Sequence, residues 1–173
     1  MKLEITTPYS DTSATTHDRL SVIRDEHRTL IALADGVDSG AASQVAAALT
    51  VRELARCFRN DVLPDDPWDW EMILDGIDLT VFKDPVAGET SALVMLVQRG
   101  VVLGASVGDS LAYTVSPQGR LRVITPSFPN TTRVGSAMAS PIGFGPFPLE
   151  GKLITRRGSR DDASLSGSAH AAA

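Results

Sequence analysis

Two apolar segments, Ser91 to Val97 (SALVMLV) and Val101 to Val107 (VVLGASV), follow one another with Arg99-Gly100 between them. Neither alternates: both faces of each are apolar, and the intervening pair offers a tight turn. Strands of this kind must be covered on both faces. A single sheet with one wet face is thereby excluded, and a layered structure is required.

The layers are supplied on either side of this pair. Upstream, Leu20 to Ile23 and Thr29 to Ala34 flank the charged stretch Arg24 to Arg28 and read as a hairpin. Leu3 and Ile5 alternate with Lys2, Glu4 and Thr6, which is the period of a short strand ended by Pro8. After Asp35-Gly36 and Gly40, the residues Ala41, Val45, Ala48, Val51, Ala55 and Phe58 recur at helical spacing. Pro64-Asp65-Asp66-Pro67 then breaks the pattern. Asp65 or Asp66 caps a second helix with Pro67 in its first turn, and Trp70, Ile73, Leu74 and Ile77 form its apolar face to about Val81. Downstream, Leu111 to Val115 and Leu121 to Thr125 flank the turn Pro117-Gln118-Gly119 and continue a meander. Beyond Thr125 proline and glycine dominate, and only Lys152 to Thr155 reads as a strand. The expectation is an α+β layered sandwich of antiparallel β-sheets with helices on the outer faces, occupying residues 1–155. Residues 156–173 hold Leu165 as their one large aliphatic side chain and are expected to form a tail without a core.

Composition removes several classes of function. Acidic residues outnumber basic ones, 21 to 16, and the basic residues form no stripe, so nucleic acid is not an expected partner. No apolar run reaches the roughly 18 to 20 residues that cross a bilayer, and the N-terminus has no apolar leader. No membrane partner is expected, and the cytoplasm is the expected location. Cys57 is the single cysteine and is read as packing, as are Trp68 and Trp70 at the second helix. Among the three histidines, His27 falls in the hairpin turn, His170 in the tail, and His17 beside Asp18.

Three acidic residues stand at element edges: Asp18 entering a strand, Asp35 leaving one before Gly36, and Asp109 between Gly108 and Ser110. Carboxylates at strand ends suit hard divalent cations, which prefer oxygen ligands. Each alone is equally at home in a turn. Their order and surroundings are more specific. The run THDRLSVIRDEHRTLIALADGVDSGAASQVAAALT, followed after two helices by ETSALVMLVQRGVVLGASVGDSLAYTVSPQGRLRVIT, resembles the N-terminal two thirds of the PP2C (PPM) family of protein phosphatases. The resemblance spans about residues 14 to 125 and, at its widest, 155.

That resemblance implies a metal-dependent serine/threonine phosphatase, in which two Mn²⁺ or Mg²⁺ ions activate a water that attacks phosphorus in a phosphorylated protein. No protein nucleophile is then required, and the sequence offers no recognisable Cys or Ser triad. By the same resemblance Asp18 matches the first metal carboxylate, Asp35 the one that bridges both ions, and Gly36 a backbone ligand. Asp109 matches a partly structural aspartate that helps to hold a third, weaker ion.

The chain also departs from the family pattern. Asp38 stands where a glycine of Asp-Gly-x-Gly-Gly is usual, and Leu111 where an arginine often follows Gly-Asp-Ser. Residues 10 to 17 lack the arginine that grips the substrate phosphate; Arg19 is on the wrong side of Asp18, which leaves Lys2, His17 or another group for that role. No Ser-Asp-Gly or Gly-x-x-Asp-Asn follows Thr155, and Asp161-Asp162 is read as solvated tail. The expectation is therefore a partial domain, ending early, with weak metal affinity and one sheet edge left open. A catalytically impaired or inactive PP2C-like regulatory module is the alternative reading.

Overall fold

The computed structural model describes residues 5–6, 17–38, 40–126, 132–149 and 151–156. Two sheets stack face to face. One has five strands in the order β2-β3-β4-β5-β8: β2 Asp18–Arg24, β3 Arg28–Gly36, β4 Thr90–Gln98, β5 Val101–Val107 and β8 Ile142–Pro148. The other has four in the order β1-β9-β6-β7: β1 Ile5–Thr6, β9 Lys152–Arg156, β6 Leu111–Val115 and β7 Leu121–Val123. All pairings are antiparallel except β1 with β9. Helices α1 (Ala41–Arg59) and α2 (Pro67–Phe82) pack on the five-stranded sheet, α1 over β2 to β4 and α2 over β5 and β8.

The double-faced apolar pair sits where its composition requires. Every residue of β4 except Gln98 is buried, and every residue of β5 except Val101. Register sorts their side chains. Leu30, Ala32, Ala92, Val94, Leu96, Leu103 and Ala105 face the helices, where they meet Leu54, Trp70, Leu74 and Val81. Ile31, Leu93, Met95 and Val102 face the second sheet and pack with Ala112, Ile124, Phe144 and Leu153. Arg99 and Gly100, both with positive φ, form the two-residue turn that joins β4 to β5.

Three expectations are corrected. The meander does not run on past β5: after Val107 the chain leaves the first sheet at Gly108-Asp109-Ser110, and β6 pairs instead with β7 and β9. The strand β8 lies in the Pro- and Gly-rich stretch that reads as aperiodic. As the outermost strand beside β5 it tolerates Pro146 and Pro148, because an edge strand need not donate on both sides. In α1 the buried face is Ser43, Ala46, Ala47, Thr50, Leu54, Ala55 and Phe58, while Ala41 and Ala48 are exposed. Alanine on both sides of a helix defines no face by itself; Leu54 and Phe58, the large side chains, do. The second helix matches expectation: Asp66 caps it by accepting from the Trp68 amide at 2.7 Å, and Pro67 opens it. Trp70 is fully buried and Trp68 is exposed. Leu3, Lys2 and the tail from residue 157 lie outside the described residues.

Candidate metal centre

In the β2–β3 hairpin Asp18 lies directly opposite Asp35, and on the other side Asp35 lies opposite Ser91 of β4. Residues opposite one another in an antiparallel pair share a face. The row is in phase with Leu20, Leu33 and Leu93, so Asp18, Asp35 and Ser91 all face the second sheet, at the end of the inter-sheet core. Two acidic side chains thus stand side by side, with Cβ atoms about 5 Å apart for such a pair. Both residues have further interactions with their surroundings. Their Oδ1 atoms, however, are buried and take no hydrogen bond. Arg19 is one residue out of phase; it lies opposite Ala34, toward the helices, and its guanidinium folds back to the Asp18 carbonyl at 2.9 Å.

The turn after Asp35 is held by the residue that departs from the family pattern. Asp38 Oδ1 accepts from the Gly40 amide and from Ser43 Oγ, each at 2.7 Å. The Ser43 hydroxyl first, and then the Gly40 amide, hold the Asp38 carboxyl below its ordinary pKa. This side chain therefore ties the loop to the first turn of α1, whose own N-cap, Gly40, supplies no side-chain hydrogen bond. Gly36 allows that closure. A Cβ there would stand 2.9 Å from the Ser43 Cβ and 3.2 Å from the His17 Cβ. His17 Nδ1 and the Gln44 side-chain amide are hydrogen-bonded at 2.9 Å, which ties the entry to β2 to the first turn of α1.

Asp109 is placed differently from the other two aspartates. It lies in the crossover between the sheets and pairs with Arg133 at 3.4 Å. The crossover is pinned beside the aspartate row: the Ser91 and Ser110 hydroxyls are hydrogen-bonded at 3.0 Å. Gly108 has φ +96, and a Cβ there would come within 2.6 Å of the Ser91 Cβ. Only glycine fits.

Arg133 is the residue that sequence reading missed. Val134 bridges Thr90 through two backbone hydrogen bonds, which sets Arg133 level with Ser91 on the continuation of the same row. Its Nη1 lies 3.3 Å from where a Gly108 Cβ would be. Asp78 of α2 holds this segment from below, its buried carboxylate accepting from the amides of Gly135 at 2.6 Å, Ala137 at 3.3 Å and Ala139 at 3.2 Å. The segment has no periodicity, so only the long-range bridge to Thr90 betrays its place.

A facing pair of carboxylates is the oxygen-donor chemistry that Mg²⁺ or Mn²⁺ takes. Among the described residues no third Asp, Glu, His or Cys joins them in a cluster. Asp161, Asp162 and Lys2 lie outside the described residues. Cys57 is half-buried, and burial pushes its thiol pKa up, which fits a packing role. His27 lies at the far end of the hairpin, its amide donating to Asp25.

No protein-family model and no curated protein sequence matches the chain. Solved structures do. The serine/threonine phosphatase Stp1 from Staphylococcus aureus matches with a TM-score of 0.60 at 20% identity, over 79% of this chain and 68% of that one. The S. agalactiae serine/threonine phosphatase matches with a TM-score of 0.61 at 19% identity, over 81% of this chain and 71% of that one. RsbX, solved in complex with magnesium, matches with a TM-score of 0.56 at 14% identity, over 86% of this chain and 64% of that one. The layered sandwich is therefore the fold of these bacterial phosphatases, the PP2C-like architecture expected from the motifs. At such identities the likeness is one of fold, and this chain spans about two thirds of the length of each structure.

Proposed function

We propose that this chain is a metal-dependent phosphatase acting on phosphoserine and phosphothreonine in proteins, with Asp18 and Asp35 at its centre. The observation that carries the reading is the Asp18–Asp35 register pair, facing inward at the end of a sandwich with the PP2C-like fold. Asp35, buried and flanked by both Asp18 and Ser91, would hold the ions together with Asp18 and the Gly36 carbonyl. A bound pair of Mg²⁺ or Mn²⁺ ions would activate water and offset the charge that develops on the phosphoryl oxygens.

The chain's own residues have three tasks. Asp18 and Asp35 hold negative charge at a fixed place on a rigid sheet. Asp38 and Gly36 close the loop after Asp35 onto the first turn of α1. Arg133 brings a guanidinium to the same row and takes the phosphate-orienting role that residues 10 to 17 do not fill, with Asp109 keeping it in position. The cytoplasm is the compartment that fits this reading; no helix among the described residues is long and apolar enough to cross a membrane.

The test is hydrolysis of a phosphothreonine peptide in Mn²⁺, compared with Asp35→Ala, together with the melting temperature of each with and without the ion. Ion-dependent hydrolysis lost in the variant supports the reading. A second reading, a regulatory module without catalysis, is favoured by the fact that the described residues bring only two acidic side chains together. It predicts no turnover above the Asp35→Ala background and no shift in melting temperature at millimolar Mn²⁺.

A further inference from the structure

The segment that carries Arg133 is fixed from two sides by unequal means. On one side Val134 exchanges two backbone hydrogen bonds with Thr90, at 2.9 and 3.0 Å. A bridge to a single residue holds one point of a chain and leaves rotation about that point open. On the other side stands the buried carboxylate of Asp78, whose Oδ1 takes the Gly135 and Ala137 amides and whose Oδ2 takes that of Ala139. To bring these alternate amides to one carboxylate the backbone takes positive φ at Gly135 and at Ala137, 97° and 58°. Glycine adopts that conformation freely and alanine does not. Such strain persists where the surroundings over-determine it, which the carboxylate does here. The turn closes on Arg133 itself: the Ser136 hydroxyl donates to the Arg133 carbonyl at 2.7 Å and accepts from the Met138 amide at 3.1 Å.

We infer that Asp78 is a positioning residue for phosphate binding, which rests on the phosphatase reading: acting through the turn at 135–139, it fixes the Arg133 guanidinium at the aspartate row. That guanidinium has little slack. Its side chain is 16% exposed, pairs with Asp109 at 3.4 Å and donates to the Thr132 carbonyl at 3.0 Å, so a shift of its backbone cannot be absorbed without giving up these contacts. The same helix shows what a carboxylate that only fastens a loop looks like. Glu71, about two turns earlier, accepts from the Gly143 amide at 2.5 Å, in a strand that β5 already holds. Asp78 instead gathers amides from a stretch with no helix or strand of its own, directly after Arg133. Small displacements of a group that orients substrate are costly, so the carboxylate that sets this turn governs how well Arg133 meets a phosphate.

Asp78→Asn keeps the shape of the side chain but leaves one acceptor oxygen where two are used, and sets an NH₂ group against an amide. With a phosphothreonine peptide in Mn²⁺ it is expected to raise KM about fivefold while kcat changes less than about twofold; the milder Ser136→Ala is expected to raise KM about twofold. In an Arg133→Ala background Asp78→Asn is expected to change KM no further, because a residue that acts through Arg133 is silent once Arg133 is gone. Glu71→Gln is expected to leave KM at the wild-type value. Nitrogen-15 NMR reads the placement without turnover: the Arg133 Nε–H should exchange with solvent about tenfold faster in Asp78→Asn than in the wild type, and at the wild-type rate in Glu71→Gln. Absence of turnover in the wild type would count against the phosphatase reading and not against the placement of Arg133, which the exchange rate decides. A KM unchanged in Asp78→Asn, an equal rise in the wild-type and Arg133→Ala backgrounds, or an Nε–H exchange rate unaltered in Asp78→Asn would overturn the inference.

Discussion

The two ends of the β2–β3 hairpin carry acidic residues to opposite purposes. At the turn end Asp25 is surrounded by donors: its Oδ1 accepts from the His27 and Arg28 amides at 2.8 and 2.7 Å, and its Oδ2 meets Arg28 Nε at 2.8 Å and Nη2 at 2.6 Å. The Arg28 side chain first, and the His27 amide next, lower the Asp25 pKa to about 2. Arg28 also pairs with Asp61 and lies 5.5 Å above the Phe58 ring. At the open end, near the far end of the nine-residue strand β3, Asp35 faces another aspartate in register. One end places opposite charges together and so holds the turn. The other places like groups together, an arrangement that a bound cation in the proposed metal centre would compensate.

The largest expected difference between the ends is in activity. Asp35→Asn is expected to reduce Mn²⁺-dependent hydrolysis at least 100-fold, while Asp25→Asn leaves it within about twofold; steady-state rates on a phosphopeptide decide this. Equal losses at both ends would break the distinction. Arg133→Ala is expected to raise KM for a phosphorylated substrate about tenfold, with a smaller change in kcat and partial rescue by lysine, as for a group that orients phosphate. The metal-free stability effects should differ in sign. Asp18→Asn removes a like-group contact and is expected to stabilise the protein by about 0.5 kcal/mol, measured by urea unfolding, whereas Asp25→Asn destabilises it.

The pH dependence of that last effect has a defined window. A carboxyl whose folded pKa is depressed contributes stability above its unfolded pKa and loses it as pH falls through the folded value. For Asp25 the difference in melting temperature between the wild type and Asp25→Asn should be constant at neutral pH, shrink below about 4, and vanish near 2. A difference that persists at pH 2 would show that Asp25 acts through shape rather than charge.

Much of this arrangement is legible from residue order, and the exceptions have physical causes. β4 and β5 announce themselves because strands covered on both faces need apolar residues at every position, and α2 because Asp66 and Pro67 mark its start. Asp18 and Asp35 stand out through their positions at strand edges, although their direct opposition is a matter of register. The crossover at Gly108 is silent, since Gly-Asp-Ser serves a hairpin turn or a change of sheet equally well. β8 is hidden because Pro146 and Pro148, disqualifying in a central strand, are harmless at an edge. Arg133 is invisible for a related reason: its segment has no period of its own and is organised by partners such as Thr90 and Asp78, far away in sequence.

Asp78 has one further consequence, in the exchange of amide hydrogens with solvent. The stretch from Gly135 to Ala139 forms no helix or strand, and by that criterion alone its amides would exchange quickly. Three of them instead end on one buried carboxylate, anchored in a helix whose neighbours are Trp70, Leu74 and Val81. Freeing any of them exposes a buried charge-assisted hydrogen bond, so these amides open with the core rather than with the surface loops. An irregular segment is in this way given the slow clock of a helix.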